Sequence, residues 1–243
     1  MSRFFVPKDA VRGNKIYITG EEAHHVTNVM RLKALDKVVV FDGSGKEYVG
    51  FIKEIGKKAL TVEIVETRQP LSREQAKITL IQAIPKKEKM DYIVEKATEL
   101  GAHSIIPVVT KRTIPDWDSA KKSANAGRWR KIATEAAKQC GRRDIPVVND
   151  VSGFVSAVKG SSDCDLCLIA ALAEGSMKLK DALAGFTGGS LVIAVGPEGD
   201  FTPEEIKTAR EARFKLVSLG SRVLKSDTAG LAMLAILNYE FSD

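Results

Sequence analysis

The chain has 243 residues, 44% hydrophobic and 28% charged, the balance of an ordinary soluble globular protein with room for one large domain or two small ones. No apolar run is long enough to span a bilayer, and the opening MSRFFVPKDA lacks the apolar core of a signal peptide, so a cytoplasmic protein with no membrane partner is expected. Lys and Arg total 37 against 31 acidic residues, and the net charge of +6 admits a polyanionic partner without requiring one.

From Ser2 to about Val65 the pattern predicts short strands: Phe4–Val6, Lys15–Ile18, Lys37–Phe41, Glu47–Ile55 and Ala59–Val65. Asp42-Gly43-Ser44-Gly45 and Gly56-Lys57-Lys58 supply the turns between the last three. One helix interrupts this β-rich module, with Glu21 and Glu22 in its first turn where the helix dipole favours acids. Its positions Val26, Val29, Met30 and Leu32 are expected to face inward, leaving Arg31 and Lys33 free. His24 and His25 are not joined by a set of ligands that completes a site, and the expectation is one packed ring and one solvated ring.

The polar, aperiodic TRQPLSREQA, residues 67–76, reads as a linker, so a boundary is expected between a domain at 1–70 and one at 71–243. Beyond it strands alternate with helices. Strands are predicted at Ile78–Ile84, Ser104–Val109, Leu166–Ala171, Leu191–Val195 and Phe214–Leu219, with helices from about Glu88 or Lys89 to Leu100 and from about Arg128 to Cys140. Such alternation argues for a mostly parallel α/β sheet, whose ligand crevice lies at the carboxyl ends of its strands. The second helix is expected to bury Trp129, Ile132, Ala133, Ala136 and Cys140 and to present Arg128, Arg130, Lys131 and Lys138, followed by Arg142 and Arg143. A solvated basic face and a phosphate-binding face are both open here; Arg pairs suit bidentate phosphate recognition. Cys164 and Cys167 make a C-x-x-C inside an apolar run, without partner Cys or His at zinc spacing, and are expected to be buried thiols in a protein without a metal site.

The stretch Ser190–Leu237 organises the rest. A buried strand stops at Gly196, and Gly-Pro-Glu-Gly-Asp-Phe turns tightly, with two glycines that let another group approach the backbone. Thr202, Pro203 and Glu205 then have the spacing of a capping box. After Gly220 and the loop Ser221–Lys225, the trio Ser226, Asp227, Thr228 offers N-caps to a last helix that is apolar on every face from Ala229 to Leu237. A helix without a polar face must be covered all round, and a second subunit is the expected cover, with Leu234 on that face. No G-x-G-x-x-G dinucleotide fingerprint follows the first predicted strand of the α/β part, which counts against a nucleotide-dependent oxidoreductase.

Four ordered stretches, ATELGAHSIIPVVTKRT, RWRKIATEAAKQCGRRDIP, GPEGDFTPEE and LGSRVLKSDTAGLAMLAIL, together with HHVTNVMRLKALDKVVVFDGSGKEY near the N-terminus, resemble the RsmE family of 16S rRNA uridine N3-methyltransferases over essentially the whole chain. The resemblance implies a small PUA-like RNA-binding β-barrel followed by an α/β SPOUT methyltransferase domain with a C-terminal trefoil knot. It also implies S-adenosylmethionine (SAM) as cofactor, 16S rRNA of the small ribosomal subunit as partner and a homodimer through the last helix. Carried onto this chain, the cofactor loops are Leu172, Gly196–Pro197–Glu198–Gly199 and Leu219–Gly220 to Leu224, with Ser226 and Thr228 at the start of the last helix. Catalytic candidates are Glu198, Asp227 and Arg222, with a turn carboxylate and an N-cap as the structural alternatives for the first two; RNA contacts are expected from Arg31, Lys86, Arg142 and Arg143. Members commonly carry Gly where Asp200 stands and Arg-Thr-Glu where this chain has Lys225-Ser226-Asp227, and Lys cannot reproduce an Arg fork. The alternative is a non-catalytic RNA-binding or ribosome-assembly factor on the same scaffold.

Overall fold

Six strands build the N-terminal sheet in the computed structural model, which describes residues 2–69, 76–87 and 89–241. They are β1 (Arg3–Phe5), β2 (Val11–Arg12), β3 (Lys15–Thr19), β4 (Lys37–Phe41), β5 (Glu47–Ile55) and β6 (Ala59–Arg68). Their order is β1-β4-β5-β6-β3-β2, with β1 parallel to β4 and every other pair antiparallel. Alternation sets the buried face: in β3, Ile16 and Ile18 point into a core with Phe4, Val38, Val40, Ile52, Leu60 and Val62, while Lys15, Tyr17 and Thr19 point out.

Two compact units emerge from the packing, Met1–Arg73 with Thr134–Ile145, and Glu74–Ala133 with Pro146–Asp243. The expected boundary and most of the expected linker fall at 70–75, and Glu88 heads a predicted helix; these residues lie outside the described ones.

In the first unit α1 (Gly20–His24) runs directly into a π-helical turn, His25–Val29. A π turn takes in extra residues and rotates the helix face, so the inward stripe is broken. Val26 stays buried, but Val29 and Met30, expected inside, are 59% and 43% exposed. His25 packs edge-on against Phe4, ring centroids 5.9 Å apart, while His24 is solvated, as expected.

The basic residues that close the second long helix are turned into this unit. Buried Glu47 is met by Arg3, by Arg68 at 3.0 Å and by Arg143 at 3.8 Å, and Arg142 pairs with Asp144 at 2.6 Å. Lys138 lies between Glu22 at 3.0 Å and Glu135 at 3.1 Å; burial pulls its ammonium pKa down, but the bonds to the two carboxylates outweigh this and hold it above the usual lysine range. Arg142, Arg143 and Lys138 therefore do not form the free basic face expected of them. A buried carboxylate such as Glu47 has to be compensated, and Arg3, Arg68 and Arg143 supply the compensation locally.

The second unit is a parallel sheet of β7 (Lys77–Ala83), β8 (Ser104–Val109), β9 (Val147–Val148), β10 (Ser152–Gly153), β11 (Leu166–Ala170), β12 (Met177–Lys178), β13 (Ser190–Val195) and β14 (Lys215–Ser218). The order is β10-β8-β7-β13-β11-β14-β12, with β9 beside β8. Its central strands read as continuous apolar runs, such as the buried Leu191 to Val195 in β13, because helices cover both faces. The helices that follow in the chain are α2 (Lys89–Glu99), α3 (Ser119–Cys140), whose residues from Thr134 belong to the first unit, α4 (Phe154–Lys159), α5 (Leu179–Ala182), α6 (Pro203–Glu211) and α7 (Ser226–Phe241).

Helix α3 begins well before the expected Arg128, because the Asp118 carboxylate accepts the Lys121 N–H at 2.7 Å and caps an earlier start. Cys140 at its end is exposed rather than buried. Cys167 is buried and Cys164 half-buried, as expected of packed sulfurs, with their Cα atoms 6.2 Å apart. The capping box is present as predicted: Glu205 N–H donates to Thr202 Oγ1 at 3.3 Å and the Thr202 N–H to Glu205 at 2.9 Å.

Helix α7 corrects a larger expectation. Met233, Leu234 and Leu237 are fully buried within this chain, where α7 packs on α2, β7 and β13. Leu234 is thus core, not an outward face. What α7 leaves open is the stripe Ala235, Ile236 and Tyr239, the last two 42% and 83% exposed.

Candidate active site

A parallel sheet brings all its strand ends to one edge, and here the segments after β7, β8, β11, β13 and β14 meet there. The loops after β11 and β14 enclose a recess of about 70 Å³ whose walls include Leu172, Leu219, Gly220, Leu224 and Ala229, with Arg222 at its side. Five residues predicted for the site are thereby brought together. Most of the lining is small or apolar, so a ligand here meets backbone and aliphatic carbon. Leu172 is 68% exposed, and Gly220 has φ +121°, a conformation that only glycine adopts at ease and that opens the wall of the recess.

The glycine turn after β13 stands beside this recess and is tied to its neighbours by side chains. Gly196 is buried, and a Cβ there would lie 3.2 Å from the Phe201 ring; Pro197 is buried next to it. The Gly196 carbonyl accepts the Ser226 hydroxyl at 2.5 Å, and the same hydroxyl accepts from Gln82 Nε2 at 3.0 Å. Ser226, expected to touch the cofactor, thus joins the head of α7 to both β7 and the turn. Arg112, after β8, donates to the Gly199 carbonyl at 2.6 Å.

Asp200 occupies the left-handed region, φ +59°, a conformation that glycine, the residue the resemblance leads one to expect here, adopts without strain. Its side chain compensates: Oδ1 accepts the Phe201 N–H at 2.8 Å and Oδ2 accepts the Leu172 N–H at 3.0 Å. The second bond links the turn after β13 directly to the loop after β11. Neither Asp200 nor Arg112 was among the expected site residues. The signal for Asp200 was the exchange of Gly for a residue tolerant of positive φ; the signal for Arg112 was its place just beyond a strand's carboxyl end.

The two carboxylate candidates differ. Glu198 accepts the Lys86 backbone N–H at 3.1 Å, so it acts as a turn carboxylate holding the segment after β7. Asp227 does not cap α7, whose first turn closes instead on the Lys225 carbonyl, accepting from Thr228 and Ala229 N–H at 2.9 and 2.8 Å. Its Oδ2 lies 3.2 Å from Lys89 Nζ and its buried Oδ1 has no hydrogen-bond partner among the described residues. The N-cap expectation for Asp227 is thereby corrected. Thr228 and Lys225 are exposed beside it, and Lys86, Arg31 and Arg222 are exposed with no ion-pair partner among the described residues.

The residues present fit SAM on three observations: a recess walled by backbone and small or aliphatic side chains, two glycines where added Cβ atoms would crowd or strain the turn, and a turn after β13 bonded through Asp200 to the loop after β11 and through Ser226 to the head of α7. Leu172, Leu219, Gly220, Leu224 and the backbone of Gly196–Gly199 would hold it. Among the described residues no group of three or more His, Cys, Asp or Glu is placed to bind a metal ion, and no helix is long and apolar enough to cross a membrane.

Residues 72–238 match the family model of an RNA methyltransferase domain and residues 18–65 that of an RNA methyltransferase PUA domain, so the chain is an RNA methyltransferase-type α/β protein with a PUA-like N-terminal domain. It is 32% identical over 228 residues to the ribosomal RNA small subunit methyltransferase E of Bacillus subtilis, covering 92% of this chain and 89% of that one. The Aquifex aeolicus protein of the same name is 31% identical, covering 93% and 95%. Among solved structures, the ribosomal RNA small subunit methyltransferase E of Neisseria gonorrhoeae bound to S-adenosyl methionine superposes with a TM-score of 0.87 at 31% identity, over 99% of this chain and 98% of that one. The chain belongs to the ribosomal RNA small subunit methyltransferase E family.

Proposed function

We propose that this protein transfers the methyl group of SAM to N3 of a specific uridine in 16S rRNA of the small ribosomal subunit. The observation that carries the reading is the cradle of three loops at the carboxyl edge of the sheet, in a chain that superposes over nearly its whole length on a SAM-bound member of its family. SAM supplies an electrophilic methyl group on a positively charged sulfur. The protein's task is to hold the uridine so that N3 meets that carbon in line at about 3 to 3.5 Å and to help N3 lose its proton.

Of the two carboxylates, Asp227 carries the free oxygen, held beside Lys89, and is the better placed acceptor; Glu198 is occupied by the Lys86 amide and positions backbone. Arg222 projects from the loop that walls the recess, where a guanidinium stabilises an anionic uracil or holds a phosphate. Arg31 and Lys86 are the RNA contacts with free cations; Arg142 and Arg143 serve the internal charge cluster first.

A trefoil knot and a homodimer complete the reading. Support for the knot comes from α7, whose head is bonded to Gly196 and Gln82 while its body lies on β7 and β13, as a threaded tail would. Support for the dimer comes from the apolar outer stripe of the same helix, Ala235, Ile236 and Tyr239.

Calorimetry with SAM, followed by methyl transfer to small ribosomal subunits with the product nucleoside identified, tests the proposal. Binding without transfer would favour the non-catalytic RNA-binding alternative, and absence of SAM binding would sink the enzyme reading. Sedimentation of the Ile236→Glu variant is expected to show monomers.

A further inference from the structure

The first unit holds a cavity of about 330 Å³, within the size range of small-ligand sites, that none of the site residues above touches. One wall is His24, Thr27 and Asn28; the other is the hairpin turn Gly56, Lys57 and Lys58. We infer that this cavity binds one nucleotide of single-stranded RNA, with its phosphate at Lys57 and Lys58 and its base edge at Asn28 and His24. The inference rests on the proposed action on rRNA and adds a second point of RNA contact to it.

Four observations carry it. First, the polar groups are uncommitted: the side chains of His24, Asn28, Lys57 and Lys58 make no hydrogen bond or ion pair among the described residues, and the Thr27 hydroxyl donates to Ala23 O at 2.9 Å while its oxygen stays free to accept. Second, the lining contains no acid, and Glu22 of the same helix is turned away to accept from the Phe5 N–H and Lys138. Third, the π-helical turn departs from the regular helix where Thr27 and Asn28 stand, and such turns recur at functional sites. Fourth, Gly20 and Gly56 keep bulk out of the cavity, so a ribose can come close to the main chain.

The chemistry selects a nucleotide. Two adjacent lysines match a phosphodiester, and an Asn amide offers both a donor and an acceptor, as a base edge requires. Sequence-specific contact with RNA is made largely to unstacked bases in single strands, where an imidazole also provides a stacking surface.

The test uses the full chain in two double variants, Lys57→Glu with Lys58→Glu, and His24→Ala with Asn28→Ala, all four positions being exposed. The probe is a fluorescent single-stranded RNA oligonucleotide, titrated at several salt concentrations. The lysine pair is expected to lose about tenfold or more in affinity and to flatten the slope of log affinity against log salt by about 0.7, the value for one single-strand phosphate contact. A milder pair, Lys57→Gln with Lys58→Gln, should flatten the slope equally. The His24 and Asn28 pair is expected to weaken binding at an unchanged slope. SAM affinity and melting temperature should match wild type throughout. RNA binding by the variants with wild-type affinity and slope would overturn the inference. Wild-type protein that binds RNA through these residues but transfers no methyl group would instead remove the proposed function and leave the cavity's role standing.

Discussion

The turn after β13 and the loop after β14 lie at one edge of the same sheet and are held in opposite ways. Gly196–Phe201 is fixed from four directions: Ser226 on the Gly196 carbonyl, Glu198 on Lys86, Arg112 on Gly199 and Asp200 on Leu172. Among the described residues Leu219–Lys225 has no such side-chain ties from other segments; Arg222 and Lys225 are exposed, Val223 is 71% exposed, and the Ser218 hydroxyl bonds to Gly220 within the loop. A fixed turn presents backbone at a set position, which suits recognition of a small rigid cofactor. A loosely held loop can adjust to a larger substrate, and few buried contacts are the physical mark of such segments.

The largest effect should come from filling the fixed turn. Gly196→Val drives a branched side chain at the Phe201 ring, which itself packs on Phe154 with centroids 4.6 Å apart. Overpacking of this kind costs about 1 to 3 kcal/mol. Calorimetry should show SAM binding lost while the chain still folds; retained binding would mean the turn does not face the cofactor. Next comes the loose loop. Arg222→Ala is expected to lower kcat about 10- to 100-fold, the scale of removing one group that stabilises developing charge, with SAM affinity and melting temperature preserved. A change in SAM affinity as large as that in kcat would erase the division of labour between the two segments.

Asp200 sharpens the comparison with a pair of variants. Asp200→Ala loses both bonds and must strain to hold φ +59°, whereas Asp200→Gly loses the bonds and keeps the backbone at ease. Losing an acceptor for an otherwise unpaired amide costs about 1 to 3 kcal/mol when buried and less when exposed, so SAM affinity should fall about tenfold for Ala and about threefold for Gly. Equal affinities for Ala, Gly and wild type would show that the link to Leu172 does not position the cofactor loop.

Much of this edge was legible in the sequence. β-branched runs ended by glycine mark the strand ends, and Thr202-Pro203-Glu205 marks the head of α6. The hydrogen bonds across the edge were not legible, because they join residues far apart in the chain: Asp200 to Leu172, Ser226 to Gln82, Glu198 to Lys86. Local pattern carries no record of such partners. The same limit explains Arg142 and Arg143, whose basic run suits a phosphate face until Glu47, distant in sequence, is found buried beside one of them. Leu234 shows a further one: a helix apolar all round does not declare which side its own chain covers.

The smallest effect lies at the other ends of the same central strands and serves as the control. Asp165, just before β11, accepts the Ser190 N–H and hydroxyl at 2.8 and 2.7 Å, clasping β11 to β13 away from the site. These bonds, the hydroxyl's first, hold the Asp165 pKa below its usual 3.8. A carboxyl depressed in the folded state contributes stability that is present above its unfolded pKa and is lost as pH falls through the folded one. Asp165→Asn should therefore lower the melting temperature slightly at pH 7, with the gap to wild type closing only below pH about 4, in the range where free aspartates titrate. SAM affinity should not move, since no loop of the cradle is touched. If it did fall, the rigidity of the turn after β13 would have to come from the whole strand, and the four local ties at its carboxyl end would be insufficient to explain it.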